Sequence, residues 1–161
     1  MSVSSLSHGA HGNLPNAIAL HANPSVNYAE KVEETLALLK QAVSQFSPVT
    51  QASSLGAEDV VITHLINHHA LNIPVFVLET GALHRETLAL LERTQAHSRA
   101  PINVFRPVPA SVIQFVRDKG QDAIYQSIEL RKECCGVRKM APLAQALKGQ
   151  RAWITGLRQE Q

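Results

Sequence analysis

Apolar residues recur along this chain with two spacings, one typical of helices and one typical of buried strands. Over residues 28–46 they recur at three- and four-residue intervals, at Val32, Leu36, Leu39 and Val43. This spacing predicts an amphipathic helix. The uninterrupted apolar run over residues 74–78 instead predicts a strand that is buried on both faces, as in a parallel sheet.

The rest of the chain alternates between strand-like and helix-like segments. Strands are predicted at 49–53, 74–78, 102–105 and 151–155. Helices are predicted at 28–46, 57–70, 83–95 and 109–119, with a short one before the two cysteines and another at 137–147. The helix at 57–70 carries Val60, Val61, His64, Leu65 and His68 on one side. This alternation predicts an α/β fold, in which a parallel twisted sheet has helices on both faces.

Length and composition predict one ordinary domain in a cytoplasmic protein. The 161 residues divide into a Ser-, His- and Gly-containing leader, 1–27, which is predicted to be mobile, and a domain over 28–161. No secretory signal or membrane-length apolar run is evident, so no membrane association is expected. A net charge of +2 and an aromatic content of 4% argue against a nucleic-acid partner.

The segment after the first predicted strand turns on small polar residues into a helix. It reads Ser-Ser-Leu-Gly-Ala-Glu-Asp over residues 53–59. Small residues let a ligand approach the backbone, hydroxyls donate hydrogen bonds, and a helix N-terminus attracts an anion. The segment lacks the lysine of the common nucleotide-hydrolase loop. An ordinary helix start, with Ser54 as its N-cap, is the alternative interpretation.

A second polar turn follows the most apolar strand and reads Leu-Glu-Thr-Gly over residues 78–81. Ligands of open α/β sheets bind at the carboxyl ends of the strands, so both turns are candidates for a ligand site. A plain strand-to-helix turn that contains a glycine is the alternative here.

The two cysteines of the chain, Cys134 and Cys135, are adjacent and lie among cations. Neighbouring residues are poorly spaced for a disulfide, because bridging them requires a strained ring. Lys132, Arg138 and Lys139 should acidify the thiols and make them available to a metal or cluster. The alternative is that both are small buried apolar side chains, which suits a cationic segment poorly.

Two histidines, His64 and His68, are four residues apart on a predicted helix and could supply half of a metal site. No third candidate ligand follows at a spacing typical of metal sites. They are therefore expected to be ordinary histidines that are semi-buried or lie on the helix surface.

Together these motifs resemble the adenylyl-sulfate and phosphoadenylyl-sulfate reductases of assimilatory sulfate reduction. The resemblance runs in order from about residue 30 to Gln161. Residues 53–59 look like the family's modified PP-loop, and 78–81 look like its Leu-Asp-Thr-Gly element, with Glu79 in place of the usual aspartate. Residues 132–139 resemble its Cys-Cys-x-x-Arg-Lys stretch, and 153–161 resemble its strand that ends in Gly-Leu-Arg-x-x-Gln. The resemblance implies the adenine nucleotide alpha hydrolase-like (PP-loop) fold.

The cysteine pair is similar to that of the branch that uses adenylyl sulfate. By this resemblance, Cys134 and Cys135 hold two corners of a [4Fe-4S] cluster, whose charge the nearby cations offset. Lys139 would reach toward both the cluster and the sulfate, and arginines suit phosphosulfate through their planar fork of donors. The implied substrate-binding residues are Ser53, Ser54, Leu55, Gly56, Glu58, Asp59, Leu78, Thr80, Arg138, Lys139, Gly156 and Arg158.

The reaction that the resemblance implies is the reduction of adenylyl sulfate to sulfite and AMP. A nucleophilic cysteine attacks the sulfur of the substrate, forms an S-sulfocysteine and releases AMP. Thioredoxin or glutaredoxin then frees sulfite. The family's later Cys-x-x-Cys pair and its nucleophile do not occur within these 161 residues. The chain is therefore predicted to be C-terminally truncated, to contain no catalytic residue and to be inactive by itself.

Three other functions stay open at this point. One is a cluster-free phosphoadenylyl-sulfate reductase, which the cysteine pair disfavours. Another is an ATP-dependent PP-loop ligase or sulfurtransferase, whose usual Ser-Gly-Gly-x-Asp-Ser loop differs from residues 53–59. The third is a non-catalytic adenine-nucleotide or metal-binding module. Exposed sheet edges would also predict self-association, with a homo-oligomer as one outcome.

Overall fold

The computed structural model describes residues 23–157. Most of the predicted leader, 1–27, and the predicted ligand-binding residue Arg158 lie outside this part of the chain. Within it, no helix combines the length and apolarity needed to cross a bilayer.

Within residues 23–157, four strands and six α-helices alternate, as the sequence predicts. The strands are β1 (Val49–Ser53), β2 (Val75–Leu78), β3 (Ile102–Phe105) and β4 (Ala152–Ile154). The helices are α1 (Tyr28–Phe46), α2 (Ala57–His68), α3 (Arg85–His97), α4 (Pro109–Lys119), α5 (Ile128–Cys135) and α6 (Ala141–Ala146). A 3₁₀ turn (Ala123–Tyr125) precedes α5, and a π-helical turn (Gly136–Met140) joins α5 to α6.

The sheet is entirely parallel and has the strand order β3-β2-β1-β4. From β1 the chain moves to β2 and β3 on one side, and it returns to β4 on the other side. Val49 thereby pairs with Ala152, and Gln51 pairs with Ile154. The order of the strands reverses between β1 and β4, and open α/β sheets bind ligands at such a switch point.

One face of the sheet forms the main apolar core with helices α1, α2 and α3. Val49, Val75 and Val77 project into it from the strands and are at most 2% exposed. The helices contribute Leu39, Leu65, Ile66 and Leu91. Val32 and Val43 pack against this cluster, which confirms the apolar stripe predicted for α1.

The second face is covered by the C-terminal helices, and α6 lies against β2 and β3. Helix α5, the π-helical turn and α6 follow one another without a break, so the separate helices predicted before the cysteines and at 137–147 are wrong in detail. Gly136, the residue directly after α5, has helical dihedral angles, so the backbone continues helically into the π-helical turn. Ala141 donates its N–H to the carbonyl of Gly136, at the five-residue spacing of a π-helix, and Pro142 has no N–H to restore α-helical spacing.

Helix α2 buries a different set of residues from the side suggested by its sequence. Of the five residues placed on that side, only Leu65 is buried, and His64 and His68 are exposed. The buried residues are instead Asp59, Thr63, Leu65 and Ile66. Asp59 and Thr63 are polar, and both form buried hydrogen bonds that shape the ligand cavity.

Candidate functional site

A cavity of about 490 Å³ lies at the carboxyl end of the sheet, beside the switch point. This volume is in the range of small-molecule sites. The ends of β1, β2 and β4 and the start of α6 contribute its walls. It is lined by Ala52, Ser53, Ser54, Glu58, Asp59, Phe76, Val77, Leu78, Thr80, Leu83, Lys139, Leu143, Trp153, Thr155, Gly156 and Leu157.

The loop after β1 is held in shape by its own side chains. The Ser53 hydroxyl oxygen accepts a hydrogen bond from the N–H of Leu55 at 3.2 Å. Leu55 has a left-handed φ of 64° while its side chain is 7% exposed in the core. A non-glycine residue adopts this conformation at some energetic cost, which the core contacts of the side chain offset. Gly56 is the N-cap of α2, so the interpretation of Ser54 as N-cap is wrong.

Asp59 connects this loop to the loop after β4. Its Oδ2 accepts hydrogen bonds from the N–H and the hydroxyl of Ser54, at 2.7 and 2.6 Å. Its Oδ1 accepts a hydrogen bond from the N–H of Gly156 at 2.8 Å. Both oxygens of the buried carboxylate are therefore engaged within the protein. The Ser54 hydroxyl donates its proton in this contact, whereas the Ser53 hydroxyl oxygen acts as an acceptor toward Leu55.

The main chain of Asp59 is held in place by Gln51, which lies in the middle of β1 and is completely buried. The Gln51 amide donates to the Asp59 carbonyl at 2.8 Å. Thr63 places its hydroxyl 2.9 Å from both the Gln51 side-chain oxygen and the Asp59 carbonyl. These bonds explain why α2 buries polar residues, since a buried polar group without a partner is costly.

Gly156 is packed too closely to carry a side chain. A Cβ atom there would lie 2.8 Å from Asp59 Oδ1, 2.8 Å from Glu58 Cβ and 2.9 Å from the Asp59 nitrogen. The glycine thus lets the loop after β4 approach the first turn of α2.

The loop after β2 is held by two charged side chains. Glu79 accepts the N–H of Gly81 at 2.7 Å and pairs with Arg106 at 3.1 Å, so the longer glutamate caps this turn and also reaches the end of β3. Arg138 donates to the Thr80 carbonyl at 2.8 Å. Gly81 has a φ of 71°, and a Cβ there would lie 3.2 Å from the Arg138 guanidinium.

Lys139 is the cation that the π-helical turn brings to the cavity wall. Its side chain is exposed, and no hydrogen-bond or ion-pair partner occurs for it within residues 23–157. The chain's single tryptophan, Trp153, lines the same cavity and is 49% exposed. The lining thus combines an ammonium that has no partner among the described residues, the start of α2 and apolar surface, which suits a ligand with an anionic part and a flat apolar part.

The two cysteines are the last residues of α5, directly before the turn that carries Lys139. Both are free thiols and half-buried. Adjacent helical residues point about 100° apart, so the thiols cannot lie one above the other. No group of three His, Cys, Asp or Glu side chains within residues 23–157 is arranged to hold a metal ion, and this includes the histidines of α2.

The structure gathers most of the predicted ligand-binding residues around the cavity. Ser53, Ser54, Glu58, Asp59, Leu78, Thr80, Lys139 and Gly156 line it. Leu55 and Gly56 shape the loop behind it, and Arg138 supports the loop after β2. Sequence reasoning missed Gln51 and Trp153. The position of Gln51 in the middle of a predicted strand was the only signal for the first, and Trp153 entered the sequence analysis only as part of the C-terminal motif.

The cavity, the loop after β1 that carries Ser53 and Ser54 (the serine loop), and the parallel sheet agree with what comparison to known proteins finds. A family model described as the phosphoadenosine phosphosulfate reductase domain matches residues 48–161. The chain belongs to this family. The family membership predicted from the four sequence motifs is thereby confirmed.

Several curated relatives are named adenosine 5′-phosphosulfate reductase. The one from Neisseria meningitidis serogroup B is 47% identical over 134 residues, which are 83% of this chain and 54% of the relative. The one from Burkholderia cepacia is 44% identical over 133 residues, 83% of this chain and 53% of the relative. The chain thus spans about half the length of the curated relatives it matches.

A solved structure confirms the fold. The crystal structure of phosphoadenylyl-sulfate (PAPS) reductase from Candida auris, in a phosphate complex, matches with a TM-score of 0.67. The match has 19% identity and covers 85% of this chain and 70% of that one. At this identity the likeness shows the shared fold, the PP-loop-like α/β fold predicted from the sequence.

Proposed function

We propose that this chain forms the nucleotide-binding part of an adenylyl-sulfate reductase, an oxidoreductase of assimilatory sulfate reduction. The observation that carries the proposal is one cavity at the switch point, bounded by the serine loop of β1, by Lys139 and by Gly156. The curated relatives named above support adenylyl sulfate as the substrate.

In this proposal each wall of the cavity has a task. The N-terminus of α2 and the Lys139 ammonium attract the phosphosulfate, while apolar lining residues cover the purine. The hydroxyls of Ser53 and Thr80 accept hydrogen bonds from nearby N–H groups and keep their own protons to donate. Arg158, outside the described residues, stays a proposed second cation for the phosphosulfate.

The cysteine pair fits half of a [4Fe-4S] ligand set. Such a cluster takes four thiolates, and Cys134 and Cys135 supply two adjacent ones beside a cationic turn. When bound, the cluster would add a polarisable charged group near Lys139. This chain's own residues would position two of its corners and hold Lys139 between the thiols and the cavity.

The proposed reaction transfers the sulfur of adenylyl sulfate to a thiol. A thiolate attacks that sulfur, an S–S bond forms, and the S–O bond to AMP breaks. A thioredoxin or glutaredoxin dithiol then displaces sulfite and becomes a disulfide, so that two electrons reach the sulfur. The residues described here would bind and orient the nucleotide, and by family resemblance neither Cys134 nor Cys135 is the nucleophile.

Nucleotide binding to this chain can be read directly from its single tryptophan. We expect AMP and adenylyl sulfate to change the fluorescence of Trp153 in a saturable manner, because this side chain lines the cavity. The Trp153→Phe variant, followed by calorimetry, should still bind while the optical signal is lost. Absence of binding by both methods, for a folded chain, would contradict the proposed function.

Phosphoadenylyl sulfate is the second candidate substrate, because the family model and the solved structure both carry its name. Competition between AMP and adenosine 3′,5′-bisphosphate for the Trp153 signal separates the two. Tighter binding of AMP supports the adenylyl-sulfate assignment. Tighter binding of the bisphosphate would transfer the assignment to phosphoadenylyl sulfate.

Replacing Cys134 by serine should abolish cluster assembly in a protein that carries the full ligand set. Serine keeps the size of the side chain but removes the thiolate that iron–sulfur clusters require. Iron and acid-labile sulfide should fall to background, while AMP binding is retained because Cys134 does not line the cavity. Unchanged iron and sulfide would exclude Cys134 as a ligand.

A further inference from the structure

We infer that Asp59 is a positioning residue, whose carboxylate holds the loop after β4 against the serine loop after β1 and so sets the shape of the nucleotide cavity. This inference rests on the proposed function for the ligand. It assigns Asp59 a role within the protein rather than a direct contact with substrate.

The geometry of the carboxylate carries the inference. Asp59 is 4% exposed, and its two oxygens face different loops. Ser54 donates twice to Oδ2, at 2.7 and 2.6 Å, and Gly156 donates once to Oδ1, at 2.8 Å. Bonds of these lengths to an ionised acceptor are strong ones. The carboxylate therefore joins two cavity walls, and its bond to Gly156 spans 97 residues of the chain.

The loop after β4 needs such an attachment. β4 has three residues, and among residues 23–157 it pairs with β1 alone, so it is an edge of the sheet described for this part of the chain. Beyond it, Thr155, Gly156 and Leu157 all line the cavity, although Thr155 and Leu157 are exposed. A loop that must present its backbone to a ligand gains affinity when it is ordered in advance.

Asp59 can act this way because it is itself fixed. Its carbonyl accepts hydrogen bonds from Gln51 and Thr63, both of which are buried. The carboxylate therefore extends from an anchored main chain, and its two acceptor positions have set directions. Gly156 completes the fit, since any side chain there would meet Asp59 within 2.9 Å.

The test is Asp59→Asn, which keeps the shape of the side chain. The amide can accept from only one loop, and its NH₂ group would face a donor of the other. We expect AMP affinity to fall roughly 10- to 100-fold. Amide hydrogen exchange of Gly156 or Ser54 should accelerate at least about tenfold in the same variant, with core amides of β2 still protected. Asp118→Asn, on the exposed face of α4, is the matched control and should change neither quantity.

Two results would overturn the inference. One is an Asp59→Asn variant that binds AMP as the unchanged chain does. The other needs no variant: in the unchanged chain, the Gly156 amide would exchange as fast as an unprotected amide. This second measurement keeps the test decisive if Asp59→Asn folds poorly. If the unchanged chain protects Gly156 but does not bind AMP, the proposed function fails while the structural link stands.

Discussion

Replacing Gly156 by alanine is expected to destabilise the chain and to remove most of its affinity for AMP. The added methyl group would lie 2.8 Å from both Asp59 Oδ1 and Glu58 Cβ, and 2.9 Å from a backbone nitrogen that cannot yield easily. Overpacking of this kind costs about 1–3 kcal/mol. The loop after β4 must move outward, so the Gly156 N–H leaves the carboxylate and the cavity widens. Thermal unfolding and AMP titration measure the two effects.

Gly136→Ala is the control for this prediction. Gly136 has helical dihedral angles, and an added Cβ would meet nothing within 4 Å. Alanine is favoured over glycine in a helix, so this variant should be as stable as the unchanged chain or slightly more stable. If Gly156→Ala also melts and binds normally, the close approach of the two loops does not exist in solution.

Replacing Lys139 by alanine should separate recognition of the sulfate from recognition of the nucleotide. The Lys139 ammonium lies on the cavity wall with no partner within residues 23–157, so it is available to an anion. Loss of a charge-assisted hydrogen bond should weaken adenylyl-sulfate binding roughly 10- to 100-fold. AMP lacks the sulfate, and its affinity should fall less. Titrations of Lys139→Ala and of the unchanged chain with adenylyl sulfate and with AMP measure the ratio of the two losses in affinity.

Lys148→Ala removes the same charge from an exposed lysine that does not line the cavity. It should leave both affinities unchanged, which excludes a general effect of net charge. An equal loss of AMP and adenylyl-sulfate affinity in Lys139→Ala would place the lysine at the nucleotide's own phosphate. Unchanged affinities would remove Lys139 from the site.

The local sequence pattern correctly predicted helices and strands that have regular apolar spacing or clear start and stop residues. The bounds of α1 and α4 match the predicted 28–46 and 109–119, since apolar spacing defines the first and Pro109 and Gly120 bracket the second. The strands at 49–53 and 102–105 match as well. The order of motifs also predicted which loops would meet, because parallel strands bring their carboxyl ends to one edge.

Long-range polar contacts could not be predicted in this way. Asp59 and Thr63 are absent from the side of α2 that the apolar pattern predicted, yet both are buried, because Gln51 of β1 bonds to each of them and Gly156, far along the chain, bonds to Asp59. The π-helical turn escaped prediction for a related reason. Its widened backbone has no residue signature of its own beyond Pro142, and the break predicted between the helix before the cysteines and the helix at 137–147 does not occur.

The strand order also has a consequence for folding. β1 pairs with β2 across a short crossover, but its pairing with β4 joins Val49 to Ala152, 103 positions later (152 − 49). Contacts between such distant residues form late, because closing the long intervening loop costs entropy before the contacts between the strands stabilise the chain. During synthesis this edge of β1 therefore stays unpaired until β4 has emerged. A nucleotide bound across β1 and β4 would stabilise their pairing, so the ligand would also promote folding.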